Sequence, residues 1–135
     1  VIRVFLDTNV LFSAAWRAES GLGRLWGHAS LRLVTSTYAA AEAERNLARK
    51  RPDAIPRLEE LVAVMEIATT ASVLPEGHGL PPKDEPILAA AIASRCDVLL
   101  TGDIADFGHA IGSTLGGVRV LTPAMLLAEL SRPPG

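Results

Sequence analysis

Four acidic residues stand at places from which a folded chain can bring them together. Asp7 follows the apolar run Val4-Phe5-Leu6 and precedes another, Val10-Leu11-Phe12, so an acid, a hydroxyl (Thr8) and an amide (Asn9) interrupt two segments bound for the core. Asp103 follows "DVLLTG". Asp84 opens "DEPILAAA", just upstream of the stretch that delivers Asp103, and Glu42 lies within the alanine-rich "TYAAAEAERNLARK". If the four converge, two carboxylates about 4 Å apart repel by about 4 kcal/mol at an effective dielectric near 20. Such a cluster persists only when protons or a cation neutralise it. Hard oxygen ligands with no His or Cys among them select Mg²⁺ or Mn²⁺ over zinc. His28, His78 and His109 have no metal-ligand spacing and read as surface residues. Cys96, the only cysteine, excludes an internal disulfide and a cysteine-based zinc site.

Taken singly, each acid also has a purely structural explanation. Asp7 and Asp84 are good helix caps. Asp103, after Gly102, suits a tight turn. Glu42 suits a solvated helix charge paired with Arg45 or Asn46. What weighs against four separate explanations is position. In open parallel sheets ligands bind beyond the carboxyl ends of the strands, and here two unrelated strand ends both carry Asp.

The elements that must hold these residues alternate. "RVFL" at 3–6 reads as strand and "NVLFSAAW" as helix, and "SGLGRLWGHAS" reads as a second helix weakened by its glycines. "LRLVTS" at 31–36 is a strand, "TYAAAEAERNLARK" at 37–50 a helix, and "PRLEELVAVMEIA" at 56–68 another, with Leu58, Leu61, Val62 and Met65 spaced by 3 and 4. "SVL" is expected as a short strand before the proline-bearing loop "PEGHGLPPK". "DEPILAAAIASR" is a helix, "DVLLT" a strand, "IADFGHAIG" a short helix, "VRVLT" a strand and "PAMLLAEL" a helix with Pro123 in its first turn. Alternating elements with uniformly apolar strands predict a parallel sheet covered on both faces, a three-layer α/β/α domain, with only the "SRPPG" tail loose.

The chain of 135 residues has the size of one domain and can bury roughly two thirds of its unfolded surface. Its 49% hydrophobic and 21% charged residues make a globular composition. No apolar stretch reaches the roughly 18 residues that span a bilayer. The N-terminus lacks a basic region and a small-residue cleavage site, so no secretory signal is expected and a reducing cytoplasm is the natural setting. A net charge of −2 supplies no global basic field for nucleic acid.

Together, "VFLDTNVLFSA", "LVTSTYAAAEAERNL" and "KDEPILAAAIASRCDVLLTGDIADFG" resemble the PIN domain, including the VapC-type toxin nucleases, over roughly residues 2 to 130. The ordered set with its intervals carries the resemblance. Asp7 matches the family's first acid and Asn9 its amide partner. Glu42 matches the helix-borne second acid, preferred over Glu44 because Ser36 and Leu47 then fall in register. Asp84 matches the third acid, Asp103 the fourth, and Thr101 a hydroxyl position that supports the cluster. Asp106 is the candidate for a further acid soon after the fourth. The resemblance implies a sandwich with five parallel strands, a single domain over residues 1–131 with a tail at 132–135, and one or two Mg²⁺ or Mn²⁺ ions held by Asp7, Glu42, Asp84 and Asp103. It also implies a metal-dependent endoribonuclease leaving 5′-phosphate and 3′-hydroxyl ends, since a metal acidifies water and dispenses with a histidine base. A homodimer and a small antitoxin partner follow from the same resemblance. The alternative is a PIN scaffold that binds RNA or protein without cutting, against which the intact acid set argues.

Other folds with an acid after the first strand fit less well. Haloacid-dehalogenase phosphatases need a second acid two residues on, where Asn9 stands. Receiver domains need adjacent acids and a late lysine, and Lys50 and Lys83 are the only lysines. A dinucleotide-binding turn needs glycine, and "DTNVL" has none. Arg45, Arg49, Lys50, Arg51 and Arg57 form the densest basic stretch, suited to phosphate or to a helix C-terminus. Trp16 and Trp26 read as packing residues, and Leu22, Leu25 and Trp26 as a candidate dimer contact.

Overall fold

The uninterrupted apolar runs become the strands of one sheet. In the computed structural model, which describes residues 1–17 and 21–132, six strands lie in the order β3-β2-β1-β4-β6-β5. They are β1 (Ile2–Leu6), β2 (Leu31–Ser36), β3 (Glu66–Ala68), β4 (Val98–Leu100), β5 (Thr114–Leu115) and β6 (Val118–Leu121). Five of them are parallel, as expected, and β5 alone runs antiparallel, on β6. Val4, Phe5 and Leu6 of β1 and Val98, Leu99 and Leu100 of β4 are all buried, as strands covered on both faces require. Apart from Arg132, the tail expected at 132–135 lies outside the described residues.

The helices are α1 (Thr8–Trp16), α2 (Thr37–Lys50), α3 (Ile55–Ala63), α4 (Glu85–Ala93), α5 (Ile104–Phe107) and α6 (Pro123–Leu130). From β1 the chain steps outward through β2 to β3, with α1, α2 and α3 packed on one another along the way. Helix α4 then returns it to the other side of β1, where β4 pairs parallel with β1. The reversal of direction falls between β1 and β4. A crevice opens beyond the carboxyl ends of strands at such a point.

Several elements depart from the expected pattern. The helix expected over 56–68 ends at Ala63, and Glu66–Ala68 forms β3 instead, pairing Val34 with Glu66 and Ser36 with Ala68. Without it the outer edge of β2 would lack partners. Glu66 is fixed there by a two-pronged ion pair with Arg3, whose Nε also donates to the Ser94 carbonyl at 3.1 Å. The strand expected at "SVL" is therefore absent, its place beside β2 being filled. Of "SGLGRLWGHAS", Ser20 lies outside the described residues and the rest yields a 3₁₀ turn over Gly21–Leu25, and the helix after Asp103 stops at Phe107. Strand β5, not expected, is joined to β6 by Gly116 and Gly117 at φ +57 and +85, the left-handed pair that a two-residue hairpin demands. A Cβ on Gly116 would also fall 2.6 Å from the Ile92 side chain.

Packing assigns several residues whose roles were open. Trp26 donates from Nε1 to the Leu61 carbonyl at 2.9 Å, and Trp16 lies 5.3 Å from Phe12, so both tryptophans pack within the fold. Leu25 is only 1% exposed and belongs to the core, which removes it from the surface contact expected of it. Arg51 donates to the Trp16 carbonyl, and Arg57 to the Ala14 carbonyl at 3.4 Å. Two of the five basic residues thus satisfy the C-terminal carbonyls of α1.

Candidate active site

Acids gather beyond the carboxyl ends of β1 and β4. Asp7, immediately after β1, is the N-cap of α1 and is 3% exposed. Its Oδ1 accepts the Thr8 N–H at 2.6 Å and its Oδ2 accepts the Thr101 hydroxyl at 2.8 Å. Thr101, after β4 and fully buried, accepts the Asp103 N–H at 3.0 Å on the same hydroxyl oxygen. One hydroxyl therefore ties the end of β1 to the end of β4. Asp103 in turn caps α5, its Oδ1 accepting the Asp106 N–H at 3.0 Å. The capping explanation thus holds for Asp7, while Asp103, expected as a turn residue, caps α5 instead.

It fails for Asp84. This residue precedes α4, but its carboxylate makes no capping hydrogen bond, and its buried Oδ2 has no hydrogen-bond partner among the described residues. Asp84, Asp103 and Asp106 each bring a carboxylate oxygen within 4.8 Å of the others. Burial raises the Asp84 carboxyl to about 7, with the charges of Asp7, Asp106 and Asp103 adding to the effect and Lys83 opposing it. Burial likewise raises Asp7 to about 6 against the hydrogen bonds from Thr101 and Thr8, with Asp103 and Glu42 pushing the same way. Asp106 is held below the usual carboxylate range by Lys83, whose Nζ lies 2.6 Å from its Oδ2.

Glu42, half-buried on α2, forms no ion pair among the described residues and faces this group closely enough to act on Asp7. Its expected neighbour Asn46 instead accepts from Arg49 at 2.6 Å. Asn9 is exposed on the first turn of α1, and no hydrogen bond joins its amide to Asp7 among the described residues. The histidines hold loops. His28 and His78 accept backbone N–H groups, and His109 bonds the His78 carbonyl at 3.0 Å. A cavity of about 430 Å³ opens at the other end of the sheet, around Trp26, Arg32 and Met65, and none of the four acids lines it.

Two residues at the site escaped the sequence reading. Lys83 is the cation beside Asp106, and its backbone carbonyl accepts the Tyr38 hydroxyl at 3.0 Å. Burial, with Glu42 beside it, raises the Tyr38 hydroxyl above the ordinary tyrosine value. The available signals were spacing and adjacency. Tyr38 stands four residues before Glu42 on the same helical face, and Lys83 directly precedes Asp84.

No curated protein matches the sequence. The fold is similar to that of VapBC2 from Rickettsia felis, solved bound to a DNA fragment from their promoter, with TM-score 0.63 and 17% identity over 90% of this chain and 98% of that one. VapBC-1 from nontypeable Haemophilus influenzae gives TM-score 0.57 and 15% identity, covering 90% and 98%. Mycobacterium tuberculosis VapC20, described as a sarcin-ricin loop cleaving toxin, gives 0.60 and 13%, covering 83% and 98%. The family model of the PIN domain matches residues 3–105, a span that contains Asp7, Glu42, Asp84 and Asp103. The chain belongs to the PIN domain family.

Proposed function

We propose that this PIN domain is a Mg²⁺- or Mn²⁺-dependent endoribonuclease and the toxin of a toxin–antitoxin pair. The observation that carries the reading is the Asp84 carboxylate, buried with an unpartnered oxygen and facing two more carboxylates within 4.8 Å. A cluster with one lysine among its acids, and an oxygen left without a donor, suits a hard divalent cation. Asp84, Asp103 and Asp106 would hold it, with Asp7 and Glu42 supplying the remaining negative charge. When bound, such an ion acidifies water and polarises a phosphoryl oxygen.

The protein's own groups do the positioning. Thr101 locks Asp7 to the Asp103 loop, so two acids from different strands keep a fixed separation. Asp103 fixes the first turn of α5 and with it Asp106. Lys83 offsets one of the crowded charges. Arg45 and Arg49 lie three and seven residues beyond Glu42 on α2, a spacing that aligns them with it for contact with RNA phosphates.

The test is cleavage of single-stranded RNA by the purified chain. Activity requires Mg²⁺ or Mn²⁺, stops in EDTA, and is abolished by Asp7→Asn in a protein that still folds. Cleavage that persists in EDTA or in that variant refutes the mechanism. A wild type that binds RNA and never cuts it would make the chain a silent scaffold. The likeness to two VapBC assemblies supports a small antitoxin partner, and a homodimer is part of the same reading. Among the described residues no helix is long and apolar enough to cross a membrane, which is compatible with a cytoplasmic setting.

A further inference from the structure

A second cavity, of about 180 Å³, opens at the carboxyl ends of β2 and β3, with Pro86, two residues after Asp84, in its lining. Ala68, Pro86 and Ala90 supply apolar lining, and the hydroxyl-bearing Ser36, Thr69 and Thr70 line it too. Tyr38 lines it as well, and the Tyr38 hydroxyl is bonded to the residue just before Asp84. Tyr38 therefore links the cavity to the segment that carries Asp84.

The lining suits one kind of occupant. The volume is below the roughly 300 Å³ at which pockets for drug-sized ligands begin, so it takes a single ring system. An aromatic side chain offers a face for stacking, and hydroxyls that both donate and accept satisfy the edge of a heterocycle without demanding one pattern. Single-stranded RNA presents such rings unstacked, whereas a paired base cannot leave its duplex without cost. We propose that this cavity binds one unpaired nucleobase of the RNA whose backbone lies at the acids, so that the site selects single strands and tolerates more than one base. The proposal rests on the ribonuclease reading for the identity of the strand, but binding tests it separately from cleavage.

The experiment compares a short fluorescein-labelled oligouridylate with its base-free ribose-phosphate counterpart, by fluorescence anisotropy in EDTA at low ionic strength. Wild type is expected to bind the base-bearing strand about tenfold more tightly. Tyr38→Ala, and separately Ala71→Leu, which fills the cavity from its exposed rim, are expected to bind both strands alike. Tyr38→Phe retains the preference, because it keeps the ring and loses only the bond to Lys83. The proposal is overturned if wild type binds both strands alike, if it binds neither, or if Tyr38→Ala and Ala71→Leu keep the full preference. Absence of cleavage in Mn²⁺ would refute the nuclease reading, while the binding comparison would still decide the cavity.

Discussion

Replacing Asp84 by Asn separates a carboxylate held ready for a cation from one that serves the fold. The folded chain holds this carboxyl at about 7, against about 4 in an unfolded one. At about 1.4 kcal/mol per pKa unit, the ionised group costs the folded protein about 4 kcal/mol near pH 8. Asp7, Asp103 and Asp106 share that cost and adjust when one charge disappears, so about half, or ~2 kcal/mol, is assigned to the single substitution. The sign follows from the raised value. Between about pH 4 and pH 7 the folded state keeps a proton that the unfolded state has released, so stability falls as pH rises through that window. An amide escapes this loss. In EDTA near pH 8 the variant should therefore melt about 6–10 °C above wild type, and its advantage should shrink to less than half near pH 5. Melting followed by circular dichroism at the two pH values measures both. Added Mn²⁺ should then raise the wild-type melting temperature more than that of the variant. A variant that melts below wild type by the same margin at both pH values would mean that Asp84 serves packing or capping, and the reasoning would be wrong.

Thr101→Val should lower stability by about 1–3 kcal/mol, because it strands a buried Asp7 oxygen and the Asp103 N–H together, and Thr101→Ser should restore it in the same denaturant titration. Asp103→Asn keeps an acceptor for the α5 cap yet should lose most of the stabilisation by Mn²⁺, whereas Asp106→Asn should lose less, since Lys83 already neutralises that charge. If Arg45 and Arg49 touch phosphates, replacing both with Ala should reduce the slope of log affinity against log salt by about 1–2, and an unchanged slope would remove them from the RNA path. Light scattering at high micromolar concentration should give the mass of a homodimer, and a monomer there would refute that assignment.

Strand β2, helix α2 and helix α6 are legible in the sequence because polar residues mark their limits. Ser36 caps α2, and Thr122 caps α6 through the Met125 N–H, with Pro123 in its first turn. Helix α3 is overextended in a sequence reading because Met65 suits both a helical face and a buried approach to β3, so periodicity cannot see the switch at Val64. The β5 hairpin was announced by Gly116-Gly117 but spans only two residues a side. Asp7, Asp84 and Asp103 are visible because strand ends and a helix start expose them as misfits in apolar surroundings. Lys83 and Tyr38 are not, since their significance arises from contacts between distant segments, Lys83 with Asp106 and Tyr38 with the Lys83 carbonyl 45 positions on.

The two guanidiniums on the carbonyls of α1 complicate any survey of the basic stretch. Helix α1 begins at Asp7 and ends at the Ala14 and Trp16 carbonyls that Arg57 and Arg51 satisfy. Removing either arginine loosens the far end of the helix whose near end positions an acid of the site. Alanine scanning would then score Arg51 and Arg57 as contributors to RNA turnover even if no nucleotide ever reached them. Their losses should appear at saturating RNA and be mirrored in thermal stability, whereas a true phosphate contact at Arg45 or Arg49 should fade as RNA concentration rises. Two classes of defect, one that persists at saturating RNA and one that fades there, are thus written into one run of basic residues.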